Sequence, residues 1–303
     1  MRLLILLILF PFITQGQIVR THPYYKPAVS GCSYLLDQYS GAAAAYSLRQ
    51  LDCDYAGSAI RVRRSSDNTE QDIGFVNGNL DTASLKTFVG TGGSDDGFVV
   101  TWYDQTGNSR NMTQSTSGNQ AKIMDNGVIY RRSSLPIVYH TGNSNYYRCT
   151  GLSISATSHS WFSVFIPENS AQYARIFSML RNGDTHDYQY VVPMLQQSVT
   201  NQSMIQYISG GDRNPITYSG TNLNLGNVIA TGSAVTHTYN NGTPSSYTFS
   251  FSATISEYTI AFNPGETNKS FTGYFAELVI YNADKTSDKS SINGNINTYY
   301  SIY

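Results

Sequence analysis

The side chains best placed to do chemistry in this chain are short polar groups and carboxylates that gather where strands end. TWYDQTGNSRNMTQ, from Thr101 to Gln114, runs from an aromatic pair, Trp102 and Tyr103, into Asp104, Gln105, Gly107 and Asn108. Two chemistries suit that order. Asp and Asn oxygens bond nearby backbone N–H groups and Gly permits a positive φ, which gives an Asx-type turn locking the exit of a strand. Alternatively, Trp102 or Tyr103 stacks on a sugar while Asp104, Gln105 and Asn108 bond its hydroxyls. RRSSDNTEQDIGF, from Arg63 to Phe75, brings Asp67, Asn68, Glu70 and Asp72 close together. Oxygen ligands at such spacing could hold Ca²⁺, but their order is not that of an EF-hand, and a solvated hairpin is the plainer reading.

Cleaving a glycosidic bond needs two carboxylates facing one pocket. Asp184, Glu168, Glu257, Glu266 and Glu277 stand in or beside predicted strands. Glu277 lies inside GYFAELVIY, where a structural role is expected. Glu266, in NPGETNKS, follows a strand on a loop, a better place for catalysis. Asp184 follows Asn182-Gly183, a turn pair that suggests a loop tip in solvent. No G-x-S-x-G, P-loop or G-x-G-x-x-G is present, so triad and nucleotide chemistry have no support. The five histidines, at 22, 140, 159, 186 and 237, show no zinc-site spacing, and there is no C-x-x-C. No cofactor is expected beyond the Ca²⁺ alternative.

The elements that must position these groups are mostly strands. SAIRVRRSS, GFVVTWY, SWFSVFIP, ARIFSML, YQYVVPML, SMIQYIS, NVIATGSAV, YTFSFS, YTIAFN and GYFAELVIY carry the strand signal, with Gly, Asn and Ser turns between them. Asn241-Gly242 is expected to turn a hairpin. DTASLKTFVG predicts a short helix capped by Asp81 and stopped at Gly90. YLLDQYSGAAAAYSLRQL reads as a helix interrupted at Gly41, and Ile292, Ile296 and Tyr299/Tyr300 recur at helical spacing near the C-terminus. Many short strands indicate a sandwich or jelly roll.

Charged residues are 13% of the 303, against the usual ~25%, and the formal net charge is -1. That leaves no basic field for nucleic acid. The 24 tyrosines and abundant hydroxyl residues suit an extracellular β protein. MRLLILLILFPFITQGQ reads as a secretory signal peptide over residues 1–16, its apolar run well short of the ~20 residues that span a bilayer. An irregular arm over 17–31 and one domain over 32–303 follow. A secreted or cell-surface protein without membrane insertion is expected. Secretion permits a disulfide, and Cys32 and Cys53, flanking one predicted helix, are its expected partners; Cys149 is left over.

Two resemblances attach to these stretches. AAAAYSLRQL, AIRVRRSSDNTEQDI, DTASLKTFV and TWYDQTGNSRNMTQ resemble, in order and spacing, the N-terminal part of the catalytic domain of the α-L-arabinofuranosidase B family over roughly residues 42–114. That part has an Ala-rich helix, a strand ending R-G-S-D, a D-A-x-x-x-x-T-F helix and Y-D-Q-S-G-x-G-N-x-L-T-Q. From about residue 160 to 303, WFSVFIP, RIFSML and FTGYFAELVIYNADKTSDKSSINGNINTYYSIY look like laminin-G-like or concanavalin A-like modules. Both imply an all-β, concanavalin A-like jelly-roll sandwich with short peripheral helices. The resemblance implies an acid/base carboxylate at Glu266, from PGETNKSFTGYFAEL. The family's C-C-F-D-Y-G-N-A-E, which holds its nucleophile, is matched by RIFSMLRNGD, without the paired cysteines or that Glu and with Asp184 nearby. The reading is a secreted glycan- or polysaccharide-binding adhesion module. An arabinofuranosidase acting on plant-type polysaccharide is the alternative, and a structural or phage-like surface adhesin the second alternative.

Overall fold

The run Ala42–Ala45, expected to be helical, is a strand. The short helix Leu35–Gln38 ends at its cap, Tyr39, and Gly41 at φ +83° then turns the chain into the alanine run. Ala42–Ser47 then lies antiparallel along Thr272–Tyr281, with Ala45 opposite Val279 and Ser47 opposite Glu277. Ala44 and Tyr46 enter one hydrophobic cluster and Ala45 the other, so the strand is covered on both faces. A strand buried on both faces loses its polar alternation, and small side chains let layers close over it. Helix propensity is a weak prior against that much burial.

The computed structural model describes residues 31–142, 145–168, 176–181, 192–197, 202–208, 211–217, 222–248, 254–261 and 271–303, and of these gives 181, 192–197, 202–208, 211–217 and 247 as backbone. The signal peptide and most of the arm expected at the N-terminus lie outside them. Cys32–Tyr303 forms one compact unit. Its frame is a curled antiparallel sheet. In spatial order the strands are Phe177–Arg181, Thr254–Ile260, Tyr147–Ser155, Met112–Thr113, Gly97–Trp102, Lys122–Asp125, Val138–Thr141, Thr272–Tyr281, Ser158–Pro167, Asn224–Thr231, Ala234–Tyr239 and Ser245–Thr248. Ile60–Arg64 adds to Gly97–Trp102 and pairs in turn with Glu70–Ile73. Val192–Gln197, Gln202–Ile208 and Gly211–Thr217 make a separate three-stranded sheet. This is the all-β jelly-roll-like sandwich that the spacing of short strands predicts.

The main core fills the inside of the curl, with Trp102, Trp161, Tyr147, Tyr258 and Phe275 fully or almost fully buried. A second core lies on the other face of the 158–167 and 272–281 strands, under Leu35–Gln38 and the closing helix Lys289–Tyr300. Ile292, Ile296 and Tyr300 anchor that helix, as their spacing predicts. Thr82–Val89 is the expected second helix, where Asp81 Oδ1 accepts from Ser84 N at 2.9 Å. The hairpin after Ala234–Tyr239 turns on Asn240 and Asn241, both at positive φ, one residue earlier than expected. A disulfide joins Cys32 to Cys53. Among the described residues no helix is long and apolar enough to cross a membrane.

Candidate functional site

The loop after Gly97–Trp102 is built as a lock. Trp102 is fully buried, edge-on to Phe275. Asp104 Oδ1 accepts from Ala45 N at 2.9 Å and Thr106 N at 3.1 Å, and Oδ2 accepts from Arg110 N at 3.1 Å. Gln105 Oε1 accepts from Leu51 N at 2.8 Å, while its Nε2 donates to the carbonyls of Ser47 and Arg49 at 3.0 Å each. Asn108 Nδ2 donates to Ala43 O at 3.1 Å, and Gly107 takes φ +78°. Tyr103, half-buried, donates its hydroxyl to Asp72 Oδ1 at 2.7 Å. The polar groups offered as sugar contacts thus fasten the 42–51 segment to the sheet. Trp102 is closed inside the core, and Asp104 and Gln105 face inward with their polar atoms bonded to the backbone, so for these three the structural reading accounts for the side chains. Asp104→Ala is expected to lower stability by about 2 kcal/mol in denaturant titration, the scale of lost charge-assisted buried bonds, with sugar affinity unchanged.

The carboxylates divide by environment. Glu277 is fully buried beneath the closing helix and binds Arg49 through both oxygens, at 2.7 and 2.9 Å. Ser47 Oγ and Tyr300 OH donate to it at 2.8 and 3.2 Å. A bulge makes this possible: Val164 pairs with Glu277 and Phe165 with Phe275, leaving Ala276 extra, so Phe275 and Glu277 point to opposite faces. Glu257, largely buried, binds exposed Arg148 through Oε2. Asp67 is gripped by Arg64 and Asp72 by Arg61, each through two bonds between 2.6 and 2.8 Å. Arg61 holds the Asp72 carboxyl below the usual range, so Ca²⁺ in this hairpin would have to displace an arginine. Glu70 is exposed. Glu266 and Asp184 lie outside the described residues. Among the described residues, the one group with metal-ligand proximity is Cys32, Asp37 and Cys53, two of them already disulfide-bonded. Cys149 is free and buried, and burial pushes its thiol up, away from the thiolate form.

Sequence reasoning missed a cluster at the start of the 272–281 strand. Tyr139 pairs directly with Tyr274, their rings 4.7 Å apart, and Tyr130 packs on both at 5.1 and 5.9 Å. The guanidinium of Arg132 lies 4.1 Å above the Tyr274 ring, and it approaches Glu168 at 3.8 Å. Burial, then the nearby Glu168, raise the Tyr139 phenol above its ordinary value. These residues are scattered in sequence, and only the general abundance of tyrosine hinted at such a patch.

Comparison with known proteins agrees with this architecture. A search of the curated proteins by sequence finds no match. Among solved structures, a GH54 α-L-arabinofuranosidase soaked with a cyclic sulfate inhibitor superposes with a TM-score of 0.66 at 17% identity, covering 88% of this chain and 64% of that one. An arabinofuranosidase complexed with arabinofuranosyl-α-1,2-xylobiose gives 0.64 at 17% identity, covering 86% of this chain and 63% of that one. A glutamate-to-glutamine mutant of a GH54 enzyme soaked with 4-nitrophenyl α-L-arabinofuranoside gives 0.65 at 18%, covering 88% and 64%. At these identities the likeness is one of fold, and the chain spans less than two thirds of those proteins. The family model for the catalytic domain of α-L-arabinofuranosidase B matches residues 34–193, more than half of the sequence. The chain therefore belongs to the α-L-arabinofuranosidase B catalytic-domain family.

Proposed function

We propose that this protein recognises α-L-arabinofuranosyl groups on polysaccharide side chains and hydrolyses them. The observation that supports this reading is the family match over residues 34–193, within a fold shared with arabinofuranosidases along 88% of the chain. The reaction breaks the bond between the anomeric carbon and the leaving oxygen. Water supplies a hydroxyl to the carbon and a proton to the oxygen, with one carboxylate as acid/base and a second as nucleophile or base. Glu266 is our candidate for the first, on the likeness of PGETNKSFTGYFAEL to the family's acid/base segment, and Asp184 for the second. The disulfide between Cys32 and Cys53 suits a secreted setting.

One observation favours a second reading, glycan binding without turnover. RIFSMLRNGD carries neither the paired cysteines nor the Glu of the family's nucleophile segment. Release of nitrophenolate from 4-nitrophenyl α-L-arabinofuranoside separates the two. Hydrolysis by the native protein, abolished in Glu266→Gln with unchanged thermal melting, is the expected result. No release, together with retention on an arabinoxylan column, would leave the binding reading in its place.

A further inference from the structure

The tyrosine cluster stands at the margin of the second core, with Tyr130 and Tyr139 only partly covered. The second core runs along one face of the 158–167 and 272–281 strands. At the later end of Thr272–Tyr281, that face is roofed by Leu35, Leu36, Ile292, Ile296 and Tyr300. At the earlier end, Tyr130 and Tyr139 stay half-buried, and Tyr274 beneath them carries Arg132. Arg132 is delivered by a small hairpin, Arg131–Arg132 paired with Leu135–Pro136, which turns on Ser133 and Ser134 at positive φ. Glu168 is fixed opposite it, because its backbone N–H donates to Thr272 O at 3.0 Å at the end of the 158–167 strand. The Arg132 and Glu168 side chains remain 37% and 35% exposed.

Those parts define a ligand class. Tyrosine faces stack on the C–H face of a sugar ring at little entropic cost. A guanidinium offers only donors and a carboxylate only acceptors, so together they match the alternating needs of vicinal hydroxyls. The two charges offset each other, which disfavours a phosphate or an ammonium ligand and favours a neutral one. Glu266 lies a few residues ahead of Tyr274 in the chain. Resting on the arabinofuranoside reading above, we infer that Tyr130, Tyr139, Arg132 and Glu168, over a floor of buried Tyr274, form a subsite for the neutral sugar units that carry the arabinofuranosyl group.

Two substrates test this: arabinofuranosyl-xylobiose, which has those further units, and 4-nitrophenyl α-L-arabinofuranoside, which lacks them. Arg132→Ala and Tyr139→Ala are expected to raise KM for the oligosaccharide about tenfold, the scale of one lost aromatic or charged contact, with kcat unchanged and the aryl substrate unaffected. Tyr139→Phe keeps the ring and loses only the hydroxyl's bond to Glu168, so its KM should lie closer to the native value than that of Tyr139→Ala. Arg132 sits on a surface hairpin, so its variant keeps the test valid if Tyr139→Ala fails to fold. Unchanged KM for the oligosaccharide in Arg132→Ala overturns the subsite while leaving hydrolysis intact. If the native protein turns over neither substrate, retardation in arabinoxylan affinity gels is the readout. Binding weakened about tenfold by Arg132→Ala then supports the subsite and rejects hydrolysis, whereas equal or absent retardation overturns the subsite.

Discussion

Between pH 7 and pH 4 the folded state is expected to lose about 5 kcal/mol of stability through His140 and His159 together. Both imidazoles are fully buried. Nδ1 of His140 pairs with Asn145 O at 2.8 Å and Nδ1 of His159 with Ser155 O at 3.0 Å, while neither Nε2 has a partner among the described residues. The neutral ring therefore donates from Nδ1, and a second proton on Nε2 would be buried without an acceptor. Burial lowers each to about 4. The unfolded chain takes up these protons near pH 6.5, so the stabilisation is complete above that pH. It declines as pH falls and is gone once the folded state titrates near 4. Carboxylates held low by hydrogen bonds, such as Asp72 and Asp81, act in the same direction but only below the ordinary Asp value. The window thus distinguishes the two causes. Urea midpoints at pH 7, 5.5 and 4.5 give the measurement, and His140→Gln should remove about half of the slope. A midpoint unchanged from pH 6.5 to 4.5 would show that these rings are not what sets acid lability.

Arg49→Ala is expected to lower stability by about 3–5 kcal/mol, because it strands the Glu277 carboxylate inside the protein. Burial pulls the Arg49 guanidinium down, but Glu277 more than offsets this and holds it above the ordinary arginine value. The guanidinium also donates to Asn295 Oδ1 at 2.9 Å and stacks 4.9 Å over Tyr299, so the pair ties the closing helix to the 272–281 strand and to the segment that follows Ala42–Ser47. Truncating one partner leaves the other charge dry and unmatched. Replacing both, as Arg49→Met with Glu277→Leu, is expected to restore most of the loss, since a buried ion pair is worth little more than well-packed apolar groups. Guanidinium denaturation of the single and double variants checks this. A single-variant loss under about 1 kcal/mol would mean that water reaches the pair.

Where the sequence was informative, the determining interactions were local. Asp81 caps its helix through Ser84, three residues on, and the Gly97–Trp102 strand declares itself by consecutive apolar and β-branched residues. The Ala42–Ser47 strand was misread because its conformation is set by Thr272–Tyr281, which no window around the alanines contains. The bonding groups of the opening loop were legible as turn chemistry, but not their main target: Asp104 reaches Ala45 across 59 positions. Arg49 and Glu277 are 228 apart, and the tyrosine patch draws on three separate segments. Side-chain clusters of this kind have no periodicity, so only the folded arrangement reveals them. The family motifs point to Glu266, which lies outside the described residues.

The strand Thr272–Tyr281 has both edges occupied, by Val138–Thr141 and Ala42–Ser47 end to end along one and by Ser158–Pro167 along the other. On the ribosome this means that three strands are made long before the one that joins them; Ser47 waits 230 positions for Glu277. Until then their pairing groups are open to other chains. At ~5–20 residues per second, that delay is roughly 10–50 s, far longer than local hairpins need to form. Breakage within the 272–281 stretch would release every one of these partners at once.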